Sequence, residues 1–226
     1  MNIKTAKNDL KKISNFKKYL KEALTIFYRE DFFLIENGVH EQAISGKFAM
    51  ILYDILKHNY SDTIPLSLDI EYNKHFENGK DIRMILSYIK DKNYLRNQDI
   101  MKKTICDVLS GHVSFIRPDI ILHERKKNDS TCKGSSDNNV FVIEIKFLHT
   151  KKLKKSQDKK YRYDYAKLLA LTCSPSAGNE SSRFYNYSIG LHLGVHKDGV
   201  VAIFFQNAFL VQECIWKWSK FDQTSS

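Results

Sequence analysis

Cysteine and proline are scarce in this chain, and the long apolar run that a membrane helix needs is missing. The four cysteines, Cys106, Cys132, Cys173 and Cys214, are widely spaced and form no C-x-x-C pair. Neither a zinc knuckle nor a disulfide framework is indicated, and a reducing cytoplasm suits them. No stretch approaches the roughly 18 consecutive apolar residues of a membrane span, and the lysine-rich amino terminus lacks the apolar region of a secretory signal. The expectation is a cytoplasmic chain with no membrane partner. The glycine-bearing GLHLGVHKDG lacks the G-x-G-x-x-G spacing and a following helix, so dinucleotide binding is not supported. Of three prolines, only Pro118 is followed by Asp.

Positive charge is abundant. Lys and Arg total 36 against 26 acidic residues, a formal charge of +10, the direction expected of a protein that approaches a phosphate polyanion. With 226 residues, 42% of them hydrophobic, the chain can enclose one sizeable core and reads as a single domain, 1–226. No internal repeat is present.

Periodicity divides the chain. From Asn2 to about Tyr28, Leu10, Ile13, Phe16, Leu20, Leu24 and Phe27 recur at helical spacing between lysines, which predicts an amphipathic amino-terminal helix packed on the core, an extension over 1–30. A second helix is expected from about His40 to His58, approached by Asn37-Gly38. IPLSLDIEYN alternates as a strand with Asp69, Glu71 and Asn73 on one side. Residues 80–109 read as one or two helices ended by Gly111. IRPDIILH and NNVFVIEIKF, separated by a hydrophilic loop, read as a hairpin. DYAKLLALT is a short helix, and NYSIGLHLGVH and GVVAIFFQN are two strands around Lys197-Asp198-Gly199. The tail after Trp218 is expected to fray, with Trp216 and Trp218 packing near it.

An acid-x-lysine triplet means little in so basic a chain, and four occur: Asp9 to Lys11, Glu124 to Lys126, Glu144 to Lys146, and Asp158 to Lys160. Only Glu144 and Lys146 interrupt a β-branched, aromatic run that otherwise reads as a buried strand, where charge is costly. Strand parity puts both on one face and Ile143, Ile145 and Phe147 on the other. On the preceding strand Arg117, Asp119, Ile121 and His123 share a parity, so a hairpin register can set Asp119 beside Glu144. Two carboxylates a few ångströms apart repel unless a divalent cation neutralises them, and such hard oxygen donors select Mg²⁺ or Mn²⁺. The metal can acidify a water and offset phosphate charge, and Lys146 can hold the nucleophile or stabilise the transition state of phosphodiester cleavage. The bland reading is a structural ion pair at a sheet edge; the Pro118-Asp119 pairing weighs against it.

The ordered motifs HEQAISGKFAMIL (40–52), DIEYNK (69–74), RPDIILHER (117–125), VFVIEIKF (140–147) and DYAKLLAL (164–171) resemble a family of small bacterial nucleases of the PD-(D/E)XK, restriction-endonuclease-like superfamily, over about residues 38–205. The resemblance implies an α/β fold whose core is a central mixed β-sheet flanked by helices, with the amino-terminal helix as an extra. It implies metal ligation by Asp119, Glu144 and the main-chain carbonyl of Ile145, and adds Glu41, as an outer or second metal ligand, and Lys167, as a helix residue facing the site, to the catalytic set of Asp119, Glu144 and Lys146. The lesser alternative for Glu41 is an exposed acid suited to a helix's first turn. Glu71 either faces the cleft or ends an edge strand. The long insertion between DIEYNK and RPDIILH departs from the short members.

The run KKLKKSQDKKYR follows the proposed catalytic strand. Its Lys151, Lys152, Lys154, Lys155, Lys159, Lys160 and Arg162 can grip phosphates, with Tyr161, Tyr163 and Tyr165 stacking bases; a solvated loop is the alternative. His192 and His196 lie on a strand with no glutamate to complete a zinc motif, so a metal role is set aside. The expectation is a Mg²⁺- or Mn²⁺-dependent nuclease, acting on DNA in preference to RNA. Cutting both strands with one site per chain favours a homodimer. The rival is a catalytically inert nuclease-fold module that binds nucleic acid or serves as a scaffold.

Overall fold

Strand β3 (Asn139–Phe147) organises the molecule because its alternating side chains serve two layers. Phe141, Ile143 and Ile145 are buried with one set of helices, and Val142 with another. The computed structural model describes residues 8–60, 66–70, 82–92, 98–111, 118–124, 139–147, 161–174 and 185–220. They form one six-stranded sheet in the order β1 (Leu66–Ile70), β2 (Ile120–Glu124), β3, β4 (Ile189–His196), β5 (Gly199–Gln206), β6 (Phe209–Lys217). Every neighbouring pair is antiparallel except β3 and β4, which run parallel. The expected α/β class and mixed sheet flanked by helices are therefore observed.

Helices α1 (Ile13–Glu36) and α2 (Glu41–Tyr60) cover one face. Phe16 of α1 meets Phe141 of β3 with ring centroids 4.5 Å apart. Each large side chain enclosed this way contributes about 1.5–3 kcal/mol of transfer free energy, so α1 is part of the core rather than an accessory. It also runs past the expected end near Tyr28. Gly38, with φ +61, terminates it, and Val39 N–H donates to Leu34 O at 3.0 Å. That turn delivers Glu41 to the first turn of α2.

The other face carries α3 (Ile82–Asp91), α4 (Asp99–Leu109) and α5 (Arg162–Thr172). The long insertion thus supplies two helices that pack on α5. Covered by them outside and by the sheet inside, α5 is buried continuously from Asp164 to Thr172. Its carboxyl end lies close on β4: a Cβ at Gly190 would stand 2.9 Å from Thr172 Cγ2. In the chain α5 lies between β3 and the parallel β4, and it packs on both.

β6 was not expected from the sequence, which placed only a pair of packing tryptophans near the carboxyl end. Asn207 and Ala208, at φ 50 and 63, form a two-residue left-handed turn that returns the chain along β5. An alanine in that conformation is contrary to its preference, so the turn carries little sequence signal. Trp218 packs as expected: it is buried, stacked on Tyr28 at 5.1 Å and donating from Nε1 to His196 O at 2.7 Å, while the tail expected to fray lies, beyond Lys220, outside the described residues.

The turn between β4 and β5 makes the first prediction. A Cβ added at Gly199 would lie 2.1 Å from Trp216 O, with φ at +155. Gly199→Ala is expected to destabilise the fold by roughly 2–4 kcal/mol, since the obstructing atom is backbone. Urea unfolding checks this, and an unchanged midpoint would contradict the β5–β6 geometry.

Candidate active site

The hairpin register decides which charges meet. Ile120 pairs with Ile143, and continuing that register sets Asp119 opposite Glu144 and Pro118 opposite Ile145. Proline has no N–H to give the Ile145 carbonyl, so the ladder ends there. The Ile145 N–H is taken instead by Asp119 Oδ2 at 2.6 Å. Main-chain N–H and C=O of one strand residue project toward the same neighbour, so the Ile145 carbonyl points to the side Asp119 occupies.

Glu144 is fully buried on the α5 side of the sheet. Lys167 Nζ stands 2.9 Å from its Oε2 and 3.0 Å from Asp164 Oδ1. The first is a charge contact off the hydrogen-bond direction: among the described residues neither Glu144 oxygen has an aligned hydrogen bond. Lys146 Nζ donates to Glu41 Oε1 at 2.6 Å and lies 3.8 Å from Asp119 Oδ2. Glu41, Asp119, Glu144, Lys146 and Lys167, five residues dispersed over the sequence, are thereby linked through ion pairs or opposite strand positions, with Asp164 as a sixth. Among the described residues four carboxylates face two ammoniums, leaving two negative charges unmatched there when all are ionised.

The electrostatics follow from burial. Burial pushes the Glu144 carboxyl up to about 8; Lys167 opposes this, and Asp119 adds to it. Burial also raises Asp119, against the pull of Lys146 and the Ile145 N–H. For Lys146, burial works against the charge, but Asp119 and the Glu41 hydrogen bond outweigh it, so its pKa lies above the usual lysine value. Lys167 is raised likewise, with Glu144 and Asp164 overcoming burial.

Among the described residues no three His, Cys, Asp or Glu side chains cluster closely enough to hold a metal ion by themselves. The implied donor set differs from that description, being two carboxylates and a main-chain carbonyl. Those donors fit a divalent cation: all are hard oxygens, Glu144 is an enclosed carboxylate lacking aligned hydrogen bonds, and the Ile145 carbonyl faces Asp119. Asp119, Glu144 and Ile145 would hold it. Glu41, the implied outer or second ligand, is joined to this set through its Oε1 contact with Lys146.

Two neighbours were not assigned to the site from sequence. Asp164 stands one turn before Lys167, and its i, i+3 spacing was the available signal. His192 was set aside as a zinc ligand, yet the parallel register places it beside Glu144. It is buried against Tyr161 and Tyr165, and among the described residues neither ring nitrogen has a hydrogen-bond partner. Burial lowers its pKa to about 4, so it is neutral.

The proposed phosphate grip is only partly visible. Lys151, Lys152, Lys154, Lys155, Lys159 and Lys160 lie outside the described residues, as do Glu71 and Asn73. Arg162 is ion-paired with Asp107 of α4, fastening α5 to the insertion. Tyr161 and Tyr165 are core residues and are not placed to stack on bases; Tyr163 is half-buried. Asp69 Oδ2 is 2.8 Å from His123 Nε2, a link between β1 and β2. No described helix is long and apolar enough to cross a membrane. Compared with known proteins, the chain matches no protein-family model, no curated protein and no solved structure.

Proposed function

We propose that this chain is a metal-dependent nuclease of the PD-(D/E)XK, restriction-endonuclease-like type, hydrolysing phosphodiester bonds of nucleic acid, with DNA as the favoured substrate and Mg²⁺ or Mn²⁺ as cofactor. One observation carries the reading: a completely buried glutamate sits opposite a second carboxylate, in a cluster where carboxylates outnumber ammoniums among the described residues. Stability is a weak reason for such an arrangement, because a buried ion pair is often no better than apolar packing of the same volume. When bound, the cation supplies Lewis acidity toward the phosphate and lowers the pKa of a water. Asp119 is oriented by the Ile145 N–H. Lys146, one-quarter exposed, keeps its proton at neutral pH and therefore acts as a fixed ammonium toward a phosphate rather than as a base. Cutting both strands of a duplex with one such site per chain favours a homodimer.

The test is cleavage of linear, circular and single-stranded substrates with Mg²⁺ or with chelator. Cleavage that needs Mg²⁺ and disappears in Asp119→Ala is expected; cleavage retained in either condition would sink the assignment. The inert-module reading has its own support, since Asp119 already accepts the Ile145 N–H and Glu144 already faces Lys167. Calorimetry with Mn²⁺ separates the two: no binding dependent on Asp119 and Glu144 favours the inert module.

A further inference from the structure

Glu144 already has a cation beside it, supplied by the chain itself. Lys167 Nζ lies between Glu144 Oε2, at 2.9 Å, and Asp164 Oδ1, at 3.0 Å, and its side chain is 8% exposed. Lys146 is already committed to Glu41. A divalent cation ligated by Glu144 would sit about 2.1 Å from a carboxylate oxygen. An ammonium on the same buried carboxylate would repel it with little screening. Lys167 has somewhere to go. Asp164, one turn earlier on α5, already touches the ammonium, so rotation of the outer lysine torsions can release Glu144 without breaking that contact. The Tyr163 ring, with its centroid 5.4 Å from Nζ, offers a second favourable surface.

We propose that Lys167 is the resident counter-cation of the site, holding Glu144 in the metal-free protein and passing to Asp164 when a divalent cation binds. This rests on the metal-dependent reading above. It makes Lys167 and Asp164 positioning residues: Lys167 spares Glu144 from standing buried and uncompensated, and Asp164 keeps the displaced charge away from the incoming ion.

The test is calorimetric titration of the full chain with MgCl₂ in mildly alkaline buffer. Lys167→Met is expected to tighten Mg²⁺ binding on the order of tenfold, because a competing positive charge is gone. A lysine that merely supports the fold would leave affinity unchanged or weaker, and that result overturns the proposal. Asp164→Asn is expected to weaken binding roughly tenfold in the native background and less than about twofold alongside Lys167→Met. Equal effects in both backgrounds would also overturn it. Should these variants fail to fold, lysine Nζ resonances of the unaltered chain decide: the Lys167 signal moves on adding Mg²⁺ but not in Glu144→Gln, and a stationary signal rejects the transfer. If the unaltered chain shows no Mg²⁺ binding that Glu144→Gln removes, the nuclease reading falls and takes this one with it.

Discussion

Replacing Glu144 with Gln is expected to abolish cleavage and to stabilise the fold in the same molecule. The loss of activity should reach ~10³-fold or more, a few kcal/mol of transition-state stabilisation. The gain in stability follows from linkage. The Glu144 carboxyl sits near 8 when folded, against 4.5 for an unperturbed glutamate. Below the unfolded value both states are protonated and nothing depends on pH. Between the two values the unfolded chain gives up its proton while the folded chain keeps it, so stability falls as pH rises. Above the folded value the cost is constant, at several kcal/mol by order of magnitude. Thermal melting in chelator should therefore show wild type losing stability from about pH 4.5 to about 8, with Glu144→Gln flatter and the gap widest on the alkaline side. A Glu144→Gln melting point at or below wild type throughout would contradict the burial of this carboxylate.

Lys146→Met is expected to act in the opposite sense on the fold. Lys146 is the cation for both Glu41 and Asp119. Without it Glu41 and Asp119 lose this ammonium, Asp119 keeping the Ile145 N–H, and the folded state should lose roughly 1–3 kcal/mol, less than for a fully enclosed pair because solvent reaches this one. The raised pKa of Lys146 means its own charge is present throughout the neutral range, while Asp119, whose carboxyl burial already raises, loses the pull of Lys146 in the variant, so the loss should shrink toward acid pH as that carboxyl takes up a proton. Cleavage should fall by ~10²–10³-fold, as when one fixed transition-state donor is removed. Divalent-cation affinity should not fall, since the unmatched negative charge increases. Lys146→Arg should restore most of the stability but little of the activity, because a planar guanidinium cannot replace a compact point charge. Full cleavage in Lys146→Met would remove this lysine from the reaction while leaving its structural role intact.

The centre of the candidate site was legible because it is built by a hairpin. In a hairpin, side-chain alternation and the local return of the chain are enough to set Asp119 against Glu144, and the Pro118 interruption marks the end of the ladder. The apolar stripes of α1 and α2 were legible for the corresponding reason at helical period, although only the Gly38 turn sets where α1 stops. The α5 side was less legible. That helix is buried all round, so its sequence shows no stripe from which to read which residues face the sheet. The partner of β6 depended on an alanine in a left-handed turn, against its propensity.

By itself the sequence determined the class of residues available, the two periodicities and the pair of carboxylates with its strand lysine, all properties of neighbours along the chain. Only the tertiary structure decided that Lys167 reaches Glu144, that Asp164 holds Lys167, that His192 lies beside them and that Lys146 is spoken for by Glu41. Those contacts cross a parallel strand pair joined through a helix, or span the gap from α2 to the sheet. Periodicity carries no register across such connections; that register depends on tertiary packing such as that of α5 on the insertion helices and on Gly190.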